Sequence, residues 1–157
     1  MMRILLLSTL IFLSACGWQL RSDHVDLDVA AIAITGSSMP LRQALRDQLR
    51  LAGIRVNDQA DQQIVIVSER WQSRTVAVDS AGRAVENEWR YEVRWQYQGA
   101  DDSPSRAGQP LTLTGSAPLN PEDALASGDE NTRARAQLHD DAARMIMQQL
   151  RFLESAR

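Results

Sequence analysis

The chain has 157 residues, 24% of them charged, and a formal charge of -3, a composition that fits a folded globular protein and argues against both a disordered tether and a nucleic-acid partner. All 17 basic residues are arginine, so any phosphate contact must use guanidinium, which binds oxyanions bidentately. A single cysteine excludes an internal disulfide.

That cysteine closes the stretch Leu13-Ser14-Ala15-Cys16, behind Arg3 and an apolar run from Ile4 to Leu13 that is too short to span a bilayer. A branched aliphatic residue, two small residues and a thiol form a bacterial lipoprotein processing box. Residues 1–15 are therefore expected to be a cleaved signal peptide, with Cys16 as the lipidation site. Acyl chains there would anchor the protein, and Gly17 in place of an aspartate points to the outer membrane. Residues 16–28 read as a lipidated tether, in which Trp18 either sits at headgroup level or packs on the domain. Residues 29–157 read as one α/β domain.

Val29 to Ile34 is a short apolar run ended by Gly36 and is expected to be the first strand. Ser37 or Ser38 offers a helix cap and Pro40 fits the first turn. Leu41, Ala44, Leu45, Gln48, Leu49 and Ala52 then recur at helical spacing up to Gly53. A strand from Gln63 to Val78, a turn at Asp79-Ser80-Ala81-Gly82 and a strand from Ala84 to Tyr97 predict a long hairpin. Its second arm alternates cleanly, with Val85, Trp89, Tyr91, Val93, Trp95 and Tyr97 on one side and Glu86, Glu88, Arg90, Glu92, Arg94 and Gln96 on the other. Gly99 to Pro110 reads as a loop and Leu111 to Thr114 as a fourth strand. Asn120 and Pro121 are expected to start a second helix that Ser127-Gly128 is expected to weaken or interrupt. Farther on, Leu138, Ala142, Met145, Ile146, Gln149, Leu150 and Leu153 form its apolar stripe.

The order strand, helix, three strands, helix predicts a two-layer α/β sandwich, with both helices packed on one face of a four-stranded mixed sheet. Chemistry is sparse. His24 and His139 are isolated, no metal-ligand spacing occurs, and no nucleophile and base pair is visible, so neither cofactor nor catalysis is expected. His139 reads as a helix-surface residue. Asp140 and Asp141 beside it point in different directions from the helix. The interleaved Glu and Arg face suits a polar surround such as the lumen of a β-barrel. Arg74 and Arg83 flank the hairpin tip, and Arg133 and Arg135 lie in the second helix, where they could meet phosphate groups.

Cys16-Gly17-Trp18-Gln19-Leu20-Arg21, the helix segment from Leu41 to Gly53, the hairpin closing at Gly82 and the later segments Asp123 to Ala126 and Asp141 to Leu150 together resemble the LptE family of lipopolysaccharide-assembly lipoproteins. The resemblance implies a non-enzymatic outer-membrane subunit that plugs the large barrel protein LptD, aids its assembly and contacts lipopolysaccharide on its way to the outer leaflet. It also implies basic residues near the hairpin tip and the start of the second helix. This chain carries Ser80 and Ser127 there, which leaves Arg74, Arg83, Arg133 and Arg135 as the candidate lipopolysaccharide contacts. The alternative is a periplasm-facing auxiliary lipoprotein of another lipid-transport system, sharing the anchor and the sandwich but binding no barrel.

Overall fold

The computed structural model describes residues 29–100 and 104–155; the expected signal peptide, Cys16, the tether with Trp18 and His24, and Asp101 to Ser103 lie outside the described residues. In chain order the elements are β1 (Ala31–Thr35), α1 (Met39–Leu51), β2 (Arg55–Val56), β3 (Gln63–Val78), β4 (Ala84–Gln98), β5 (Arg106–Ala107), β6 (Leu111–Pro118) and α2 (Ala124–Ser155). The sheet runs β2-β1-β3-β4, and the far edge of β4 is shared by β5 and β6. β1 is parallel to β2 and β3, and every other pairing is antiparallel, so the sheet is mixed. The four expected strands are β1, β3, β4 and β6. β2 and β5 are two-residue additions, too short to carry any period in the sequence.

Local chemistry explains the first crossover. Gly36 leaves β1 at φ +74°, and a Cβ built there would stand 2.2 Å from the carbonyl oxygen of Ile66, so only glycine lets β3 pass this close. Ser38 caps α1, with Pro40 in the first turn. At the other end the N–H of Gly53 donates to Arg50 (3.0 Å) and that of Ile54 to Leu49 (2.9 Å), a Schellman ending that buries Ile54.

The hairpin pairs as expected, from Gln63↔Gln98 to Val78↔Ala84, with arms of 16 and 15 residues. Its register breaks between Ile66 and Ser68 and again between Thr75 and Ala77. These bulges change the phase of β3. Ile64 and Ile66 lie opposite Tyr97 and Trp95 on the inner face; past Val67 the inner residues become Glu69, Trp71 and Ser73, opposite Val93, Tyr91 and Trp89.

The core lies between this inner face and the two helices. Ile32, Ile34, Ile64 and Ile66 meet Leu41, Leu45 and Leu49 of α1 and Leu138, Ala142, Ile146 and Leu150 of α2. Trp95, Tyr91 and Tyr97 are the largest fully buried side chains, and each keeps its polar atom bonded: Trp95 Nε1 to Gln149 (3.0 Å), Tyr91 to Glu69 (2.5 Å) and Tyr97 to Gln62 (2.8 Å).

α2 corrects the sequence reading at three points. It begins at Ala124 rather than at Pro121, because the N–H of Leu119 still bonds Val85 in β4 and the chain needs residues 120–123 to turn. Asp123 takes the capping role, accepting from the Ala126 N–H at 2.9 Å. Ser127-Gly128 does not interrupt the helix, since the Ser127 hydroxyl accepts from the Asn120 N–H (2.7 Å) and donates to the Asp123 carbonyl (3.0 Å). The stripe is also rotated: Met147 and His139 are buried, whereas Met145 is 40% exposed.

Candidate functional site

The four arginines singled out in the sequence do not form one cluster. Arg74 lies on the outer face of β3, away from the helices, with its Nε 2.8 Å from Glu88 across the hairpin. That hydrogen bond and the charge of Glu88 raise the guanidinium further above its ordinary value. Arg83 closes the turn: its N–H and Nε donate to Asp79 at 2.9 and 2.8 Å, and Glu122 of the segment before α2 stands 4.0 Å away. The Arg83 backbone donor first, and its side chain second, pull the Asp79 carboxyl below the usual range. Arg133 is exposed and paired with Glu130 one helical turn back.

Arg135 faces the opposite way. Its guanidinium lies 4.7 Å from the ring centre of Trp71 and 5.2 Å from that of Trp89, over the inner face of the hairpin. Trp71 stacks on Tyr91 at 4.1 Å, and Trp89 donates from Nε1 to Asn131 of α2 at 2.9 Å. A cavity of about 270 Å³ opens beside Arg135, lined by Pro40, Thr132, Ala136 and His139. A second, polar depression of about 320 Å³ is lined by Gln72, Ser73, Arg74, Glu88 and Arg90. The structure thus places Arg74 and Arg83 along the hairpin and its tip, and Arg135 behind it.

Behind the hairpin sits a group of residues the sequence reading missed. Glu69, turned inward by the bulge at Val67, accepts from the Ser38 N–H (2.6 Å), the Ser38 hydroxyl (2.9 Å) and the Tyr91 hydroxyl (2.5 Å). Burial, and then the hydrogen bond and charge of Glu69, push the Tyr91 phenol far above its ordinary value. His139 packs edge-on against Trp71 and Tyr91 at 5.2 and 5.1 Å and is only 6% exposed, not the surface residue expected. Burial pushes its imidazole below the ordinary range. The positive charge of Arg135 acts in the same sense, while Glu69, the Arg135 carbonyl and Asp140 pull the other way. Tyr91 and Ser38 were visible as an apolar-row residue and a helix cap, but nothing in the sequence joined them to Glu69 or buried His139, because a bulge carries no period and Leu138-His139 looks like the edge of a stripe.

On the outer face, Arg70, Gln72 and Arg74 of β3 lie beside Glu92, Arg90 and Glu88 of β4, followed by Thr112, Thr114 and Ser116 of β6. Arg90 Nε bonds Glu92 at 2.9 Å. Along this stretch the face is polar, while the buried aromatic side chains of the hairpin lie on the other; toward the start of β3 it carries Val65, with the exposed Val67 beside it. Among the described residues, no helix is long and apolar enough to cross a membrane and no group of metal-ligating residues occurs.

No functionally curated protein matches the sequence. Similar solved structures include a rare lipoprotein B from Shewanella oneidensis, 18% identical, with a TM-score of 0.67 over 80% of this chain and 97% of that one. An uncharacterized lipoprotein B from Nitrosomonas europaea is 21% identical, with a TM-score of 0.70 over 89% of this chain and 94% of its own. A minor lipoprotein from Acinetobacter baumannii is 16% identical, with a TM-score of 0.57 over 80% of this chain and 94% of its own. At these identities the likeness concerns the fold. The sequence itself matches the model of the LptE lipopolysaccharide-assembly family over residues 25–150, and the chain belongs to that family.

Proposed function

We propose that the protein is a non-enzymatic lipoprotein subunit of a lipopolysaccharide translocon. Acyl chains on Cys16 hold it at the periplasmic side of the outer membrane. The sandwich sits within the LptD barrel, aids its assembly and contacts lipopolysaccharide during delivery. The observation that carries this reading, beside membership of the family, is the polar outer face of the sheet. A barrel lumen is polar and wet, so a rigid sheet with Glu, Arg, Gln, Thr and Ser on one side fits it without burying unpaired charge. For lipopolysaccharide the candidates remain Arg74, Arg83, Arg133 and Arg135. Arg74 lies on the outer face of the hairpin and Arg83 at its turn, and Arg135 lies over two tryptophans.

The test is a pull-down of the tagged, lipidated protein from native membranes in mild detergent, with intact-mass identification of what remains bound. A stoichiometric large β-barrel supports the reading. Recovery alone, or with inner-membrane transporter subunits, removes it and favours an auxiliary lipoprotein of another lipid-transport system. For the lipid contact, Arg83→Glu is expected to weaken lipopolysaccharide binding with the fold intact; unchanged binding removes Arg83 from the site.

A further inference from the structure

Among the described residues, β3 is paired on its first edge only by β1, and only at Gln63 to Val65. From Ile66 to Val78 that edge meets no other strand among the described residues, although the opposite edge is paired with β4 throughout. Between the bulges at Val67 and Val76 lie eight regular residues, Ser68 to Thr75, about 27 Å of strand at 3.4 Å per residue. All of them except Glu69 and Trp71 are exposed, and the flanking Val67 and Val76 are 59% and 42% exposed. An open edge of this length is a template for an added strand, because alternate N–H and C=O groups have no partner.

Charge specifies what the edge accepts. The outer row of β3 reads Arg70, Gln72, Arg74 and contains no acid. The acidic residues of this face lie one strand further in, on β4. Arg70 makes no ion pair among the described residues. A strand with acidic residues at the positions beside Arg70 and Arg74 continues the alternation of acid, arginine and acid across the sheet. A second copy does not. The antiparallel register that overlaps residues 66–78 fully sets Gln72 on Gln72 and Arg70 against Arg74, like charge on like charge. Val29, the first described residue, stands before the start of β3, since β1 runs parallel to β3 with Ala33 level with Gln63.

We infer that the open edge of β3 from Ser68 to Thr75 is a docking site for an extended, acidic segment of a partner protein, which pairs with it as an additional strand. The inference stands independently of the identity of the barrel partner.

Two capped probe peptides test it on the full-length protein: Val-Glu-Val-Thr-Val-Glu-Val, and the same sequence with lysine at both glutamate positions. Binding is read by titration, and its location by hydrogen exchange of backbone amides. The acidic peptide is expected to bind and to slow exchange of alternate amides within residues 68–75, while the lysine peptide binds at least about tenfold more weakly. In Arg70→Glu with Arg74→Glu this preference is expected to reverse. Arg70→Glu alone, at a residue without an ion pair among the described residues, gives a partial loss and serves if the double variant does not fold. Equal binding of the two peptides overturns the proposal, as does absence of protection at 68–75. Protection that rises with protein concentration in the absence of peptide also overturns it and assigns the edge to a second copy.

Discussion

Glu69 of β3 holds Ser38 at the start of α1 by two hydrogen bonds, 2.6 Å to the backbone N–H and 2.9 Å to the hydroxyl. The same carboxylate accepts from Tyr91 of β4 in a half-buried hydrogen bond, so one side chain joins the hairpin to the exposed start of the helix. A negative charge at a helix N-terminus is also favourably placed against the helix dipole.

Glu69→Ala is therefore expected to destabilise the fold by about 1.5 to 3 kcal/mol, because the Tyr91 hydroxyl loses its acceptor in a half-buried site and the exposed Ser38 N–H must turn to water. Tyr91→Phe removes only one donor and is expected to cost about 1 kcal/mol. Urea unfolding of both variants measures the two costs; equal values would mean that Glu69 does not serve the helix.

At Gly36 the demand is geometric. Gly36→Ala combines a φ of +74° with a Cβ only 2.2 Å from the Ile66 carbonyl oxygen, so β1 and β3 must separate. The expected loss is about 3 kcal/mol or more. Gly53→Ala, where a Cβ would meet nothing within 4 Å, is expected to cost only the left-handed conformation, about 1 kcal/mol. Paired denaturation curves separate the clash from the backbone preference.

His139 sets a pH dependence. Its imidazole is depressed in the folded state and titrates near 6.5 when unfolded, so the unfolded chain binds the proton more readily. Stability contributed by the neutral ring is present above the unfolded value and falls as pH drops from about 6.5 toward the lower folded value. His139→Gln is expected to flatten the thermal midpoint between pH 7 and pH 5 relative to the parent. Parallel curves for the two proteins would show that another group dominates.

The guanidinium of Arg135 over Trp71 and Trp89 is expected to contribute about 0.5 to 1 kcal/mol to stability, in keeping with its exposure. Arg135→Ala should also quench or shift the tryptophan fluorescence of the native state, and Arg135→Lys should restore much of the stability. A variant with unchanged fluorescence and midpoint would mean that the stacked geometry is not held in solution.

Much of the scaffold could be read from residues alone. The strict alternation from Val85 to Tyr97 marked β4, and the stripe from Leu41 to Leu49 with Gly53 behind it marked α1. The turn residues Asp79 to Gly82 placed the hairpin tip. These features are local, since the period of the chain and its turn chemistry decide them before any contact forms. The candidate arginines were equally visible as residues, but not their arrangement: Arg74 faces outward and Arg135 inward because strand register and helix rotation put them on opposite sides of one hairpin.

The remainder depended on the tertiary structure. The bulge at Val67 reverses the phase of β3 and turns Glu69 and Trp71 inward, and nothing in a run of alternating residues announces where one extra residue will be left unpaired. His139 is buried because Trp71 and Tyr91 stand opposite it, and the start of α2 is delayed because Leu119 remains bonded to Val85. The amino-acid sequence by itself determined the elements and which face of each is apolar, since those follow from side-chain chemistry repeated at a fixed period. The phase between neighbouring elements, and with it the buried polar group and the open edge of β3, was decided only by packing, where contacts distant in sequence select one register among several the local pattern allows.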